Sequence, residues 1–200
     1  MLLRAFGPTA WLLDEVAEPA ALAFSIAAAS LAGVEEVVPA ESTVLVRCRR
    51  VEWASIGEQL GSIRPTSIAS NRPDVLEIEV VYDGDDLGAI ALATGLGVDE
   101  VIARHEGGEY QVAFCGFSPG FGYLRGLDSV LHLPRRSSPR TSVPAGAVAI
   151  AAGYSAVYPT ASPGGWHLIG TTVTALWDTH ADPPAALWPG RPVRFRRVGP

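Results

Sequence analysis

Along 19–32 the apolar residues Leu22, Ile26 and Ala29 fall on one face of a helical repeat that Pro19 opens and Gly33 stops. Ahead of it, 1–14 reads as two strand-like pieces about a Gly7-Pro8 turn. After it, VEEVVPA and STVLVRCR read as short strands parted by Pro39-Ala40-Glu41. A second helix is predicted over 51–62, with Val51, Ile56 and Leu60 inward and Trp53 flanking them. The order strand, helix, strand, strand, helix predicts a small α/β sandwich that ends near Pro65–Pro73.

The second half has a different rhythm. VLEIEVVYDG, 75–84, alternates as a strand does. Helices are predicted over 85–94, after the acidic cap Asp83-Gly84-Asp85-Asp86, and over 98–106, with Val101, Ile102 and His105 on adjacent turns. From 110 onward, YQVAFCGF, VPAGAVAIAAG, SAVYP, WHLIGTTVTALW and RPVRFRRV alternate with Pro/Gly turns, the pattern of a β-barrel or sandwich and not of a parallel α/β sheet. The expected class is α+β: an N-terminal α/β sandwich over 1–73, then a β-barrel over 74–200.

Composition narrows the chemistry. All 15 basic residues are arginine, which removes a Schiff-base lysine, a P-loop lysine and a lysine to carry biotin or lipoate. Residues 1–109 hold 18 acids and 7 arginines, a net of −11, whereas 110–200 hold 3 acids and 8 arginines, a net of +5. Opposite signs predict modules that attract each other or different partners. An acidic chain without a basic stripe argues against nucleic acid. Cys48 and Cys115 have no metal-ligand spacing and suggest no disulfide framework, so the expected compartment is a reducing cytoplasm. The weakly polar run over 20–33 falls short of the ~20 apolar residues a bilayer requires. Asp14 and Glu15 arrive before any small-residue cleavage site, so no signal peptide is expected.

Three stretches could carry chemistry. In FCGFSPGFGYLRG, 114–126, Gly116 to Gly120 match the five-residue pattern of a serine nucleophile elbow about Ser118. The elbow needs the next N–H for its oxyanion hole, and here that residue is Pro119; it also needs a helix, which Gly120 and Gly122 disfavour. The loop is better suited to a close backbone approach to a ligand or partner, with Phe117, Phe121 and Tyr123 as walls. In HLPRRSSPRTSVPAG, 132–146, three prolines exclude a helix or a central strand and stiffen a loop bearing Arg135, Arg136, Arg140 and four hydroxyls. Two readings stand: an oxyanion site, since arginine forks grip carboxylate and phosphate, or a solvated loop that answers the acidic half. In SPGGWHLIG, 162–170, Ser162 to Gly165 permit a tight turn whose N–H groups could cup an anion, or an ordinary hairpin before a core Trp166. Ser/His/Asp sets can be assembled from Ser118 or Ser162, His132 or His167, and Asp128 or Asp178, but spacing selects none of them. Cys115 reads as packing.

Taken in order, these stretches resemble the family of the bacterial 5-oxoprolinase B-type subunit, also known as allophanate hydrolase subunit 1, which includes a sporulation-kinase inhibitor. The resemblance rests on Gly116 to Phe121, Tyr123-Leu124, Pro134-Arg135, Pro139-Arg140, Val143 to Gly146, Tyr158-Pro159, Ser162 to Trp166 and Leu168 to Gly170. It implies a cyclophilin-like barrel, an obligate C-type partner (allophanate hydrolase subunit 2) and a shared active site in an ATP-dependent amide or lactam hydrolase. ATP would enter as co-substrate, and no metal is implied. The candidate catalytic residues are then Arg135, Arg140 and His132, with the two arginines as electrostatic clamps on developing negative charge. Substrate binding would fall to Ser118, Gly120, Phe121, Tyr123, Gly146, Ser162, Gly164, Gly165, Trp166 and His167. The chain departs from the family at Gly122, where proline is common, at His167, where glutamine is common, and in the alanines of AIAAGYSAVYP. Alternatives are a kinase-inhibiting binding protein and part of a urea-type carboxyltransferase, for which this lysine-free chain cannot itself carry biotin.

Overall fold

The computed structural model describes residues 1–66 and 75–199. The chain divides into two compact units, Met1–Pro73 and Asp74–Pro200; the predicted boundary at 73/74 lies outside the described residues.

The first unit is a four-stranded antiparallel sheet with two helices. Its strands are β1 (Leu2–Ala5), β2 (Ala10–Asp14), β3 (Val34–Pro39) and β4 (Val44–Cys48), in the order β1-β2-β4-β3. Val44, Val46 and Cys48 alternate inward along β4, while Arg47 faces water and pairs with Glu35 and Glu36. The helices α1 (Pro19–Ala28) and α2 (Trp53–Leu60) send Leu22, Ile26, Ile56 and Leu60 into the same core, whereas Val51, expected inward, precedes α2 and is exposed, as is Ala29 just past the end of α1. Trp53 stacks on Trp11 at 4.3 Å, and each indole N–H donates to a backbone carbonyl of the other segment.

The second unit opens with β5 (Leu76–Val80), α3 (Leu87–Thr94) and α4 (Val98–Glu106). It continues with β6 (Tyr110–Cys115), β7 (Gly122–Arg125), β8 (Arg140–Val143), β9 (Ala147–Ala151), β10 (Tyr154–Val157), β11 (Ser162–Gly164), β12 (His167–Thr171) and β13 (Pro192–Arg197). Seven strands form one sheet in the order β12-β9-β10-β7-β6-β13-β5, antiparallel except for the parallel β13–β5 pair. A bridge between Val81 and Thr171 ties its two ends, leaving a nearly closed barrel. The fold is thus the α+β class expected from the sequence. α4 turns Val101, Ile102 and His105 inward, as its spacing predicts.

His105 is fully buried among Tyr82, Tyr110 and Phe195, and its ring nitrogens meet the Tyr82 and Ser155 hydroxyls at 2.8 Å each. Burial lowers its pKa to about 3, so the imidazole is a neutral core group.

β9 sorts its residues by size. Val148 and Ile150 fill the main barrel core, whereas Ala147, Ala149 and Ala151 join a second cluster with Phe121, Tyr158 and Trp166. Small side chains on that face let three large rings lie close to the sheet.

Candidate functional site: an aromatic pocket beside an arginine

The loop from β6 to β7 is built of two turns. Ser118 N–H donates to the Gly116 carbonyl at 2.9 Å, a three-residue turn that holds Phe117 at φ 71°. That conformation is costly for a residue with a side chain and recurs at ligand clamps. Phe117 is also 62% exposed. Next, Phe121 N–H donates to the Ser118 carbonyl at 3.0 Å, with Pro119 and Gly120 (φ 80°) at the corners, the geometry of a type II turn. Ser118 therefore sits in a strand-to-strand turn, with none of the helix that a nucleophile elbow requires.

β8 and β11 form a separate two-stranded sheet that pairs Gly164 with Arg140. A Cβ on Gly164 would overlap the Tyr158 hydroxyl, so only glycine brings this strand so close. The resulting pocket, about 80 Å³, is lined by Phe117, Phe121, Tyr123, Arg135, Tyr158, Pro163, Gly164, Gly165 and Trp166. Phe121 is its hub: edge-to-face contacts run to Phe117 (5.2 Å), Tyr123 (5.1 Å), Tyr158 (5.4 Å) and Trp166 (5.9 Å). Burial pushes the Tyr158 phenol up, an effect opposed by the charge of Arg135 and by the Trp166 N–H.

The arginine loop is anchored on both sides of Arg135. His167 Nε2 donates to the Pro134 carbonyl at 2.9 Å, and Arg136 N–H donates to the Gly165 carbonyl at 2.8 Å. Arg135 itself has no carboxylate partner among the described residues.

Six sequence candidates thus meet in one place: Arg135, Phe121, Tyr123, Gly164, Gly165 and Trp166. Others take structural positions. Arg140, expected as a clamp, directs both terminal nitrogens at Asp86, Nη1 to Oδ2 at 2.9 Å and Nη2 to Oδ1 at 3.0 Å. Arg136 adds a third bond to Oδ1 at 2.6 Å, and Leu168 N–H a fourth to Oδ2 at 2.7 Å. Burial alone would raise the Asp86 carboxyl, but these hydrogen bonds and charges outweigh it and hold the pKa below the usual carboxylate range. Asp86 stands at the N-cap position of α3, but its side chain caps nothing there; it anchors the arginines instead, which corrects the expected acidic cap.

His132, expected to be catalytic, bonds through Nε2 to the Leu127 carbonyl and lies against Gly153. Gly146 (φ 79°) forms a corner where a Cβ would strike the Thr172 carbonyl. Ser118, Gly120, Ser162 and His167 shape neighbouring backbone without lining the pocket. Cys115 is inert packing: burial pushes its thiol up to about 11. Sequence alone gives Asp86 only the place of a helix cap and Tyr158 no role in a site. The Tyr158-Pro159 pair was a visible signal, whereas Asp86 lies 50 and 54 residues from its arginines, and spacing carries no trace of the pairing.

The barrel thus carries an aromatic pocket lined also by Arg135, an arginine with no carboxylate partner among the described residues. The family model for the carboxyltransferase domain, subdomain C and D, matches residues 2–187, and the chain belongs to that family. It is 49% identical over 123 residues to the B-type subunit of 5-oxoprolinase from Escherichia coli O157:H7, covering 60% of this chain and 56% of that one. It is 45% identical over 127 residues to the Bacillus subtilis (strain 168) protein of the same name, covering 62% and 53%. The matched span is thus little more than half the length of these relatives. Among solved structures, TTHA0988 matches with a TM-score of 0.83 at 35% identity, over 100% of this chain and 41% of that one. The urea amidolyase of K. lactis matches with a TM-score of 0.66 at 18% identity, over 98% and 15%, which establishes the shared fold alone. No described helix is long and apolar enough to cross a membrane.

Proposed function

We propose that this chain is the B-type component of a heteromeric, ATP-dependent lactam-opening enzyme of the 5-oxoprolinase kind. In this reading it acts in the cytoplasm and supplies part of an active site that a C-type partner completes. The observation that carries the reading is the pocket itself: Arg135, without a carboxylate partner among the described residues, beside aromatic walls in a space of about 80 Å³. Complete ligand sites enclose ~300–1,000 Å³. A pocket this small holds one face of a ring and leaves the other face to a second surface.

The chemistry follows from those groups. A phosphoryl group passed from ATP to the lactam oxygen converts a poor leaving group into a good one before water attacks the carbon. Negative charge gathers on that oxygen, and a guanidinium held in place by its neighbours stabilises it without reorganising. Arg135 fits this role because Pro134 and Arg136 are pinned on either side of it. The aromatic walls exclude water from the ring.

The test is ATP-dependent glutamate release from 5-oxoproline by this chain with and without its co-purified partner. The chain alone is expected to be inactive. In the assembled complex, Arg135→Ala lowers turnover about 10²-fold, the scale of losing one transition-state donor. Turnover by the isolated chain would overturn the shared site, and normal turnover of a normally assembled Arg135→Ala complex would overturn the role of the arginine.

A further inference from the structure

Helix α3 reads LGAIALAT and carries no charged side chain. Leu87, Ile90 and Ala91 enter the barrel core. Gly88, Ala89, Leu92 and Ala93 recur at helical spacing on the opposite face and are exposed, Leu92 at 86%. Thr94, the one polar side chain of the helix, turns its hydroxyl back to the Ile90 carbonyl at 2.8 Å. A helix that is apolar all round is ordinarily covered all round. Gly88 is an independent sign of a missing cover. A Cβ there would meet nothing within 4 Å, so packing inside this chain does not demand glycine, although glycine weakens a helix.

A cavity of about 440 Å³ adjoins this face. Ala89 and Ala93 line it from the helix, and residues 133–138 with His167 make up the rest of its wall. That wall includes Arg135, Arg136 and the Ser137 and Ser138 residues, but no Asp or Glu among the described residues. Arg135 also lines the aromatic pocket, so the two features are contiguous. Leu92 lies outside the lining. The open apolar surface therefore extends beyond what a small molecule in the cavity would cover, and a polypeptide segment can cover both.

We propose that the open face of α3 and the adjoining cavity form the docking surface for the C-type partner, which lays on it a segment that is apolar on one side and carries an Asp or Glu toward the arginines. The apolar side chains of that segment cover Leu92 and seat against Ala89 and Ala93, and glycine at position 88 lets its backbone approach closely. Its carboxylate answers a wall that holds arginine and no acid. Docked there, the partner reaches Arg135 and with it the aromatic pocket that a second surface completes. This surface presupposes the two-component enzyme proposed above, and specifies where the partner sits and what it presents.

The test is calorimetric titration of this chain with the C-type subunit recovered from the co-purified complex. Leu92→Asp puts a charge where apolar cover is expected, at a position too exposed to disturb the fold. It should weaken association about thirtyfold or more, the scale of an interface hot spot. Ser137 is exposed and lines the cavity but not the aromatic pocket. Ser137→Asp sets a negative charge among the arginines and should weaken association about fivefold or more. Val51→Asp, at a position 89% exposed in the first unit, should stay within about twofold of the parent. Affinity unchanged in Leu92→Asp, or lowered equally in Val51→Asp, overturns the docking surface and leaves the two-component enzyme standing. Affinity unchanged in Ser137→Asp overturns the acidic character of the partner segment. Self-association of this chain that Leu92→Asp abolishes would give the face to a second copy and overturn the proposal. Failure of the parent chain to bind the C-type subunit at all overturns the two-component enzyme and the docking surface together.

Discussion

Arg135 and Arg140 occupy one proline-stiffened loop, and the structure gives them opposite fates. Arg140, with Arg136, closes on Asp86, a carboxylate only 3% exposed that accepts bonds from two guanidiniums and one backbone amide. Arg135 lines the aromatic pocket, with no carboxylate partner among the described residues. The difference lies in what the rest of the fold brings near each side chain, since residue type and loop are the same. A guanidinium bonded to a buried carboxylate fixes structure; one without a counter-ion beside a pocket retains its charge for a ligand.

The sharpest way to break this contrast is to remove the carboxylate. Asp86→Ala strands Arg136 and Arg140 beside buried backbone and is expected to cost about 3–5 kcal/mol of stability. Arg135→Ala is expected to stay within about 0.5 kcal/mol of the parent. Urea denaturation of both variants decides the matter. A comparable loss in Arg135→Ala would mean that Arg135 is also a structural cation.

Much of the architecture was legible because it depends on local rules. Alternation along Val44-Leu45-Val46 and Leu76 to Val80, and the inward triplet Val101, Ile102 and His105, follow from strand and helix periods. The pocket was legible in part, since its turn chemistry is local: Pro119-Gly120 and Gly164-Gly165 mark close approaches. The partition of the arginines was not. It depends on Asp86, delivered from the start of α3 to the β8 and β12 segments by tertiary packing. The positive φ of Phe117 was likewise hidden, because nothing about phenylalanine favours it.

Acid separates the two kinds of buried ionisable group. Asp86 has a lowered pKa, so its contribution is complete above the unfolded carboxylate value, ~3.9, and is lost only as pH falls through its lower folded value. His105 acts earlier. Its folded pKa of about 3 lies below the unfolded ~6.5, so between these values the unfolded chain binds the extra proton and stability declines as pH falls. The slope from this one group reaches about 1.4 kcal/mol per pH unit. A series of urea midpoints from pH 7 downward should therefore fall in two stages, and His105→Gln, which keeps polar atoms for Tyr82 and Ser155, should flatten the first. A flat profile in the parent chain down to pH 4.5 would contradict a neutral buried imidazole.

The smallest effect is expected at the residue whose motif is most conspicuous. Ser118 sits among glycines in the pattern of a hydrolase nucleophile, but its hydroxyl has no histidine partner among the described residues, and its neighbour Pro119 offers no N–H. Its backbone carries its importance: the N–H and carbonyl form the two turns that hold Phe117 and Phe121 in place. Ser118→Ala keeps both bonds and should leave stability within about 0.5 kcal/mol and turnover of the assembled complex nearly unchanged. A loss of about 10³-fold in turnover with normal assembly would instead mark the hydroxyl as a reacting group, and the weight now placed on Arg135 would have to move to Ser118.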